Sequence, residues 1–140
     1  MNEYTIKDLT EGKTESFSVT VTEEMMSRFF ENTGDCNPFH SDADFAKNVA
    51  GYKDKVVYGM LTASFLSTLA GVYLPGKYSL IQDVKVSFPQ AVYVGDTLEI
   101  CGEVVSVHES LNNFGMKVSI VNQKGECVLR GKMTVGFLNS

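Results

Sequence analysis

A chain of 140 residues is long enough to bury a core without disulfides or metals, and short enough to read as one domain, residues 1–140. Its net charge of −5, from 12 basic and 17 acidic side chains, provides no broad basic field for a phosphate backbone and speaks against nucleic acid as a partner. Cys36, Cys101 and Cys127 are odd in number and lack both CxxC and metal-ligand spacing, so they read as reduced thiols in a cytoplasmic protein.

The chain opens Met-Asn-Glu-Tyr, without the basic start or apolar run of a secretory leader. Alternation through Glu15-Ser16-Phe17-Ser18-Val19-Thr20-Val21 predicts a first strand. Thr22 followed by Glu23 and Glu24 predicts a helix start, with Met25, Met26, Phe29 and Phe30 as its apolar stripe. That helix is expected to stop at Gly34. A second cap, Ser41 or Asp42, opens a short helix carrying Phe45, Ala46 and Val49, and residues 51–55 read as an exposed loop.

Between those two helices lies the most informative stretch, Gly34-Asp35-Cys36-Asn37-Pro38-Phe39-His40-Ser41-Asp42. Proline fixes its own φ and keeps the residue before it out of the helical region, so the chain must turn there. Asp35 and His40 flank the turn. A carboxylate and an imidazole held at a set separation can each gain or lose a proton, which is what adding water to an activated double bond requires. The same residues, taken alone, also suit a capped turn with Asn37 as its brace. Cys36 reads as a spacer, since the neighbouring acid opposes a reactive thiolate.

From residue 59 to 71 the pattern changes: Met60, Leu61, Ala63, Phe65, Leu66, Leu69 and Ala70 spread right round the helical wheel. A helix apolar on all sides must be surrounded by protein. Thr62, Ser64, Ser67 and Thr68 interrupt the run and speak against a membrane span. Leu74-Pro75-Gly76-Lys77 ends the helix, and strands follow: Val84, Val86 and Phe88; Leu98 and Ile100; Phe114, Met116, Val118 and Ile120; then Cys127, Leu129, Met133, Val135 and Phe137. Val94-Gly95-Asp96 and Asn122-Gln123-Lys124-Gly125 read as tight turns, with His108 exposed among polar neighbours. The predicted architecture is α+β: one strongly curved antiparallel sheet wrapped around a long, fully buried helix, with short helices covering the open side. A single sheet leaves unpaired edges, so a homodimer is expected.

These segments resemble the MaoC-like dehydratase family, and within it the short (R)-specific enoyl-CoA hydratases of the hot-dog fold. The resemblance runs almost end to end. It is carried by the motif at 34–42 with Phe45-Ala46, by Gly59-Met60-Leu61 with Ala63-Ser64 and Leu74-Pro75-Gly76-Lys77, and by Phe88-Pro89 with Val92 and Val94-Gly95-Asp96. It implies Asp35 and His40 as the catalytic pair, holding a water that adds across C2=C3 of a 2-enoyl thioester. Which of the two is the base toward water stays open. It further implies the Gly59 backbone N–H as the oxyanion contact, and Ser67 as a pocket-lining residue, although that serine lies roughly 12 Å along the helix from Gly59. Asn37 and Tyr58 are candidate substrate contacts or supports. Tyr58 stands where many relatives carry histidine, and a phenol does not titrate near neutral pH.

The implied substrate is a thioester of CoA or of acyl carrier protein, with no cofactor and no metal. A hot-dog thioesterase is the enzymatic alternative, yet it would place a carboxylate on the central helix, and residues 60–70 contain none. A non-catalytic thioester-binding dimer is the third reading. Acyl chain length and physiological direction are not encoded in these motifs.

Overall fold

Thr22 ends one element and starts the next. In the computed structural model, which describes residues 1–138, its hydroxyl accepts the Met25 amide at 3.2 Å and opens α1 (Glu23–Thr33) directly after β1 (Thr14–Thr20). Glu23 and Glu24 sit in the first turn, where the helix dipole favours negative charge. Gly34 closes α1 at φ 71°, a left-handed conformation that glycine adopts without a Cβ penalty. Asp42, the second of the two predicted caps, accepts from the Asp44 and Phe45 amides and opens α2 (Ala43–Ala50). The amino-terminal arm also contains a 3₁₀ turn, Ile6–Asp8, closed by Asp8 accepting from Thr5.

α3 (Gly59–Thr68) continues into a wider π-helical turn over Leu69–Tyr73. The four strands that follow are β2 (Ser79–Ser87), β3 (Thr97–His108), β4 (Asn113–Val121) and β5 (Cys127–Phe137), and the β4–β5 connection turns at Gly125. With β1 they form one antiparallel sheet in the order β1-β3-β4-β5-β2. Residues of one parity face inward: Ile100 and Val104, Met116, Val118 and Ile120, and Leu129, Met133 and Val135 are buried against Leu61, Leu66, Leu69 and Ala70 of the helical segment. Gly102 lets the helix lie close, since a Cβ there would come within 3.0 Å of Leu69 Cδ2 and 2.5 Å of Met116 Sδ.

One expectation is corrected. The helix is not enclosed on every side: Met60 is 66 % exposed, and Ser64 and Ser67, four and seven residues on, are exposed along the same stripe. β2 behaves alike: it is an edge strand bonded only to β5, and Ile81 and Val84, which share the inward parity of Val135 and Met133, are exposed, as is Leu80 on the opposite face. The alternation that predicted a core face in β2 describes an apolar surface left uncovered in the single chain.

At the β5–β2 pairing, a Cβ on Gly131 would overlap the Lys85 carbonyl oxygen. Gly131→Ala should therefore force β2 away from β5 and cost about 1–3 kcal/mol, read as a lowered midpoint in urea unfolding.

Candidate active site

The motif loop is built from side chains bonding their own backbone. Asp35 Oδ1 accepts the Asn37 amide at 3.1 Å, and Asn37 Oδ1 accepts the Phe39 amide at 3.0 Å, two successive Asx turns. Pro38 opens a short 3₁₀ turn, Pro38–His40, where its missing N–H costs nothing. Asn37 thus braces the turn from an exposed position. The second carboxylate oxygen, Asp35 Oδ2, takes no hydrogen bond among the described residues.

His40 Nδ1 lies 2.7 Å from the Val56 carbonyl oxygen. A carbonyl can only accept, so in the neutral ring Nδ1 carries the proton and Nε2 keeps its lone pair. The ring is held between Phe39, at 5.3 Å between centroids and nearly parallel, and Tyr58, at 4.2 Å. Val56 returns the connection by donating its own amide to Phe39 O at 3.1 Å.

Tyr58 is 5 % exposed and donates its hydroxyl to the Asp35 backbone carbonyl at 3.1 Å. Burial, and after it the negative charges of Asp35 and Cys36, push its phenol above the ordinary range. It therefore stays protonated and keeps donating at any working pH. The residue after it, Gly59, opens α3. The Leu61 and Thr62 amides both reach back to Tyr58 O, at 3.0 and 3.2 Å, whereas the Gly59 amide takes no partner among the described residues. A Cβ on Gly59 would meet the Phe88 ring first, at 3.5 Å, an ordinary van der Waals distance.

Asp35, His40, Tyr58 and Gly59 all line one cleft of about 610 Å³, walled by Phe29, Thr33, Met60 and Phe88. A neighbouring hollow of about 540 Å³ shares Asp35, His40 and Tyr58 and adds Met26, Phe30, Cys36 and Lys55, the last paired with Glu23 at 2.7 Å. Both volumes suit a small-molecule site. Ser67 lies outside both, on the open stripe of α3 two turns from Gly59. The sequence reading missed the Val56 carbonyl, the Lys55–Glu23 pair and the Phe88 wall. A backbone acceptor leaves no residue signature, and Phe88 entered as part of a strand and of the family resemblance, not as a wall against Gly59.

With this geometry in place, the chain matches the family described as MaoC like domain over residues 7–124. It belongs to the MaoC-like domain family. The MaoC-like chain is 26% identical to an (R)-specific enoyl-CoA hydratase of Rhodospirillum rubrum over 129 residues, 92% of this chain and 84% of the relative. It is 36% identical to an (R)-specific enoyl-CoA hydratase of Aeromonas caviae over 101 residues, 72% and 75% of the two chains. A solved structure, the (R)-hydratase from A. caviae involved in PHA biosynthesis, superposes with a TM-score of 0.87 at 30% identity, covering 94% of this chain and 98% of that one. The MaoC-like domain here has the hot-dog fold, a curved sheet about a central helix.

The carbonyl bond to Nδ1 has a direct spectroscopic consequence. In a long-range ¹H–¹⁵N spectrum of the neutral form, His40 should show the Nδ1–H tautomer with Nε2 unprotonated, and the opposite tautomer would mean that the Val56 contact does not exist in solution.

Proposed function

We propose that residues 1–140 act as one hydro-lyase domain catalysing the (R)-specific hydration of trans-2-enoyl-CoA to 3-hydroxyacyl-CoA, together with the reverse dehydration, within fatty acid metabolism. The observation that carries this reading is that Asp35, His40 and the amide end of α3 at Gly59 line a single cleft. The (R)-specific enoyl-CoA hydratases among the relatives support it.

Asp35 Oδ2 and His40 Nε2 are both acceptors, so a water between them gives one hydrogen to each and turns a lone pair toward C3 of the substrate. As its oxygen bonds to C3, one proton passes from the water to the pair and the C2=C3 π electrons move toward the thioester oxygen. The Gly59 N–H stabilises that oxygen. The pair then delivers one proton to C2 and ends with the protons it began with. Asp35 is the base toward water, and Nε2 is the ring atom that exchanges a proton, because Nδ1 is held by Val56. Tyr58 supports the pair through the Asp35 backbone without titrating itself.

The acting unit is a homodimer. The free edge of β2, its exposed Ile81 and Val84, and the open Met60–Ser64–Ser67 stripe form an apolar face that a second copy would cover. In that arrangement Ser67 would line a pocket completed by the partner. The three cysteines are free thiols, which fits a reducing compartment such as the cytoplasm.

Loss of enoyl absorbance with crotonyl-CoA tests the chemistry. Asp35→Asn and His40→Gln should each lower kcat by about 10²- to 10⁴-fold, and near-normal turnover in either would remove that residue from the reaction. Gly59→Ala should fold normally, since its methyl meets Phe88 at an ordinary distance, yet lose rate by obstructing the carbonyl's approach. A free-thiol assay alongside separates hydration from thioester hydrolysis. Sedimentation should give twice the 15.4 kDa chain mass, and a monomer at assay concentrations would contradict the dimer.

A further inference from the structure

The outer face of the sheet carries a feature the hydratase chemistry does not use. Register places Lys85 of β2 opposite Lys132 of β5, and Lys132 opposite Lys117 of β4, so three ammonium groups stand in one row across three neighbouring strands. One row along, Arg130 lies between Ser87 and Ser119. Together these six residues line a groove of about 480 Å³. Like charges set directly opposite one another across a sheet are destabilising. The ion pairs among the described residues, Arg28–Glu24, Lys55–Glu23 and Lys77–Glu3, involve none of the four cations. The nearest carboxylates in the register are Glu103, opposite Lys117, and Asp83, two residues before Lys85 and opposite Thr134. Four of the chain's 12 basic residues are thus gathered in one groove of a protein with net charge −5.

The groove lies on the sheet face opposite the central helix, and its end adjoins the candidate active site where β2 leaves the sheet. Phe88, which follows Ser87, walls the cleft that holds Asp35, His40 and Gly59. Val128, two residues before Arg130, lines with Phe88 an adjoining pocket that also contains His40 and Gly59. From Phe88 to Lys85 is about 10 Å of extended chain. A ligand whose reactive end lies at Gly59 can therefore place a charged tail in the groove. Pairing of two copies through the free edge of β2 leaves the groove open, because ladder hydrogen bonds lie in the plane of the sheet and these side chains stand out of it.

We propose that this groove binds the phosphates of the nucleotide end of a CoA thioester, making CoA the carrier of the acyl group; the assignment rests on the hydratase reading above. Clustered ammonium and guanidinium groups flanked by serine hydroxyls are phosphate-binding chemistry, and a concave site of this volume fits a small molecule. The bound phosphates would also relieve the repulsion within the lysine row.

The test uses adenosine 3′,5′-bisphosphate, the nucleotide half of CoA without its pantetheine, titrated calorimetrically into the full chain. The wild-type protein should bind it with an affinity that falls as salt rises. Lys85→Gln/Lys132→Gln should weaken that binding about tenfold or more and resist urea better than wild type when unliganded, while Lys47→Gln on α2 changes neither. The double variant should also raise KM for crotonyl-CoA about tenfold with kcat unchanged, and leave turnover of crotonyl-pantetheine as in wild type. No nucleotide binding by wild type, an unchanged affinity in the double variant, or an equal KM rise with crotonyl-pantetheine would overturn the proposal. So would a lysine-dependent turnover of an acyl-carrier-protein thioester in a chain that ignores the nucleotide. If no enoyl thioester is turned over at all, nucleotide binding that depends on the lysines still upholds the groove, and only the hydratase reading fails.

Discussion

A helix with apolar side chains on nearly every side can persist in water only where other protein surrounds it, and this constraint organises the whole chain. Leu61, Leu66, Leu69 and Ala70 reach the concave side of a sheet whose inward residues are Ile100, Val104, Met116, Val118, Ile120, Leu129, Met133 and Val135. Each large side chain so buried is worth about 1.5–3 kcal/mol, enough in sum to bend five strands around ten residues of helix. Bending brings the helix axis close to β3 and β4, where Gly102 offers no side chain to oppose it. The amino-terminal end of α3 is thereby fixed in place, with its first amide unpartnered among the described residues.

That fixed amide gives the motif loop something to be measured against. Residues 35–40 and 56–58 are joined by the Val56 amide to Phe39 O, the Val56 carbonyl to His40 Nδ1, and the Tyr58 hydroxyl to Asp35 O. All three use a backbone group on one side, so the spacing of Asp35, His40 and Gly59 is set by main chain and not by freely rotating side chains. Preorganisation of this kind lets dipoles act on a developing charge without rearranging first. Tyr58 contributes a donor that burial keeps protonated, which gives the loop an anchor insensitive to pH.

The single chain leaves two surfaces with opposite characters. One is apolar, on β2 and along the Met60 stripe, and is the complement expected of a second copy. The other is basic, on the opposite side of the sheet, in a protein that is acidic overall. Because side chains on a strand alternate between faces, β2 supplies both at once: Val84 and Val86 to one, Lys85 and Ser87 to the other. The proposed site lies at the end of that strand, where Phe88 leaves the sheet.

Much of this was legible in the residues themselves. Local chemistry marked the Thr22 cap, the Gly34 stop, the Asn37-Pro38 turn and the alternating strands, because caps, turns and period-two patterns depend on neighbours in sequence. The 34–42 motif and the Gly59 segment identified the family, and the family implied the residues of the site. Tertiary structure alone decided which nitrogen of His40 is free, since its partner is a carbonyl 16 residues away that carries no side-chain signature. It also decided that one face of α3 and the apolar side of β2 stay open, and that three lysines scattered between positions 85 and 132 stand in a row. Hydrophobic periodicity shows which residues avoid water but not what covers them, and strand register, which no local pattern encodes, determines which charges become neighbours.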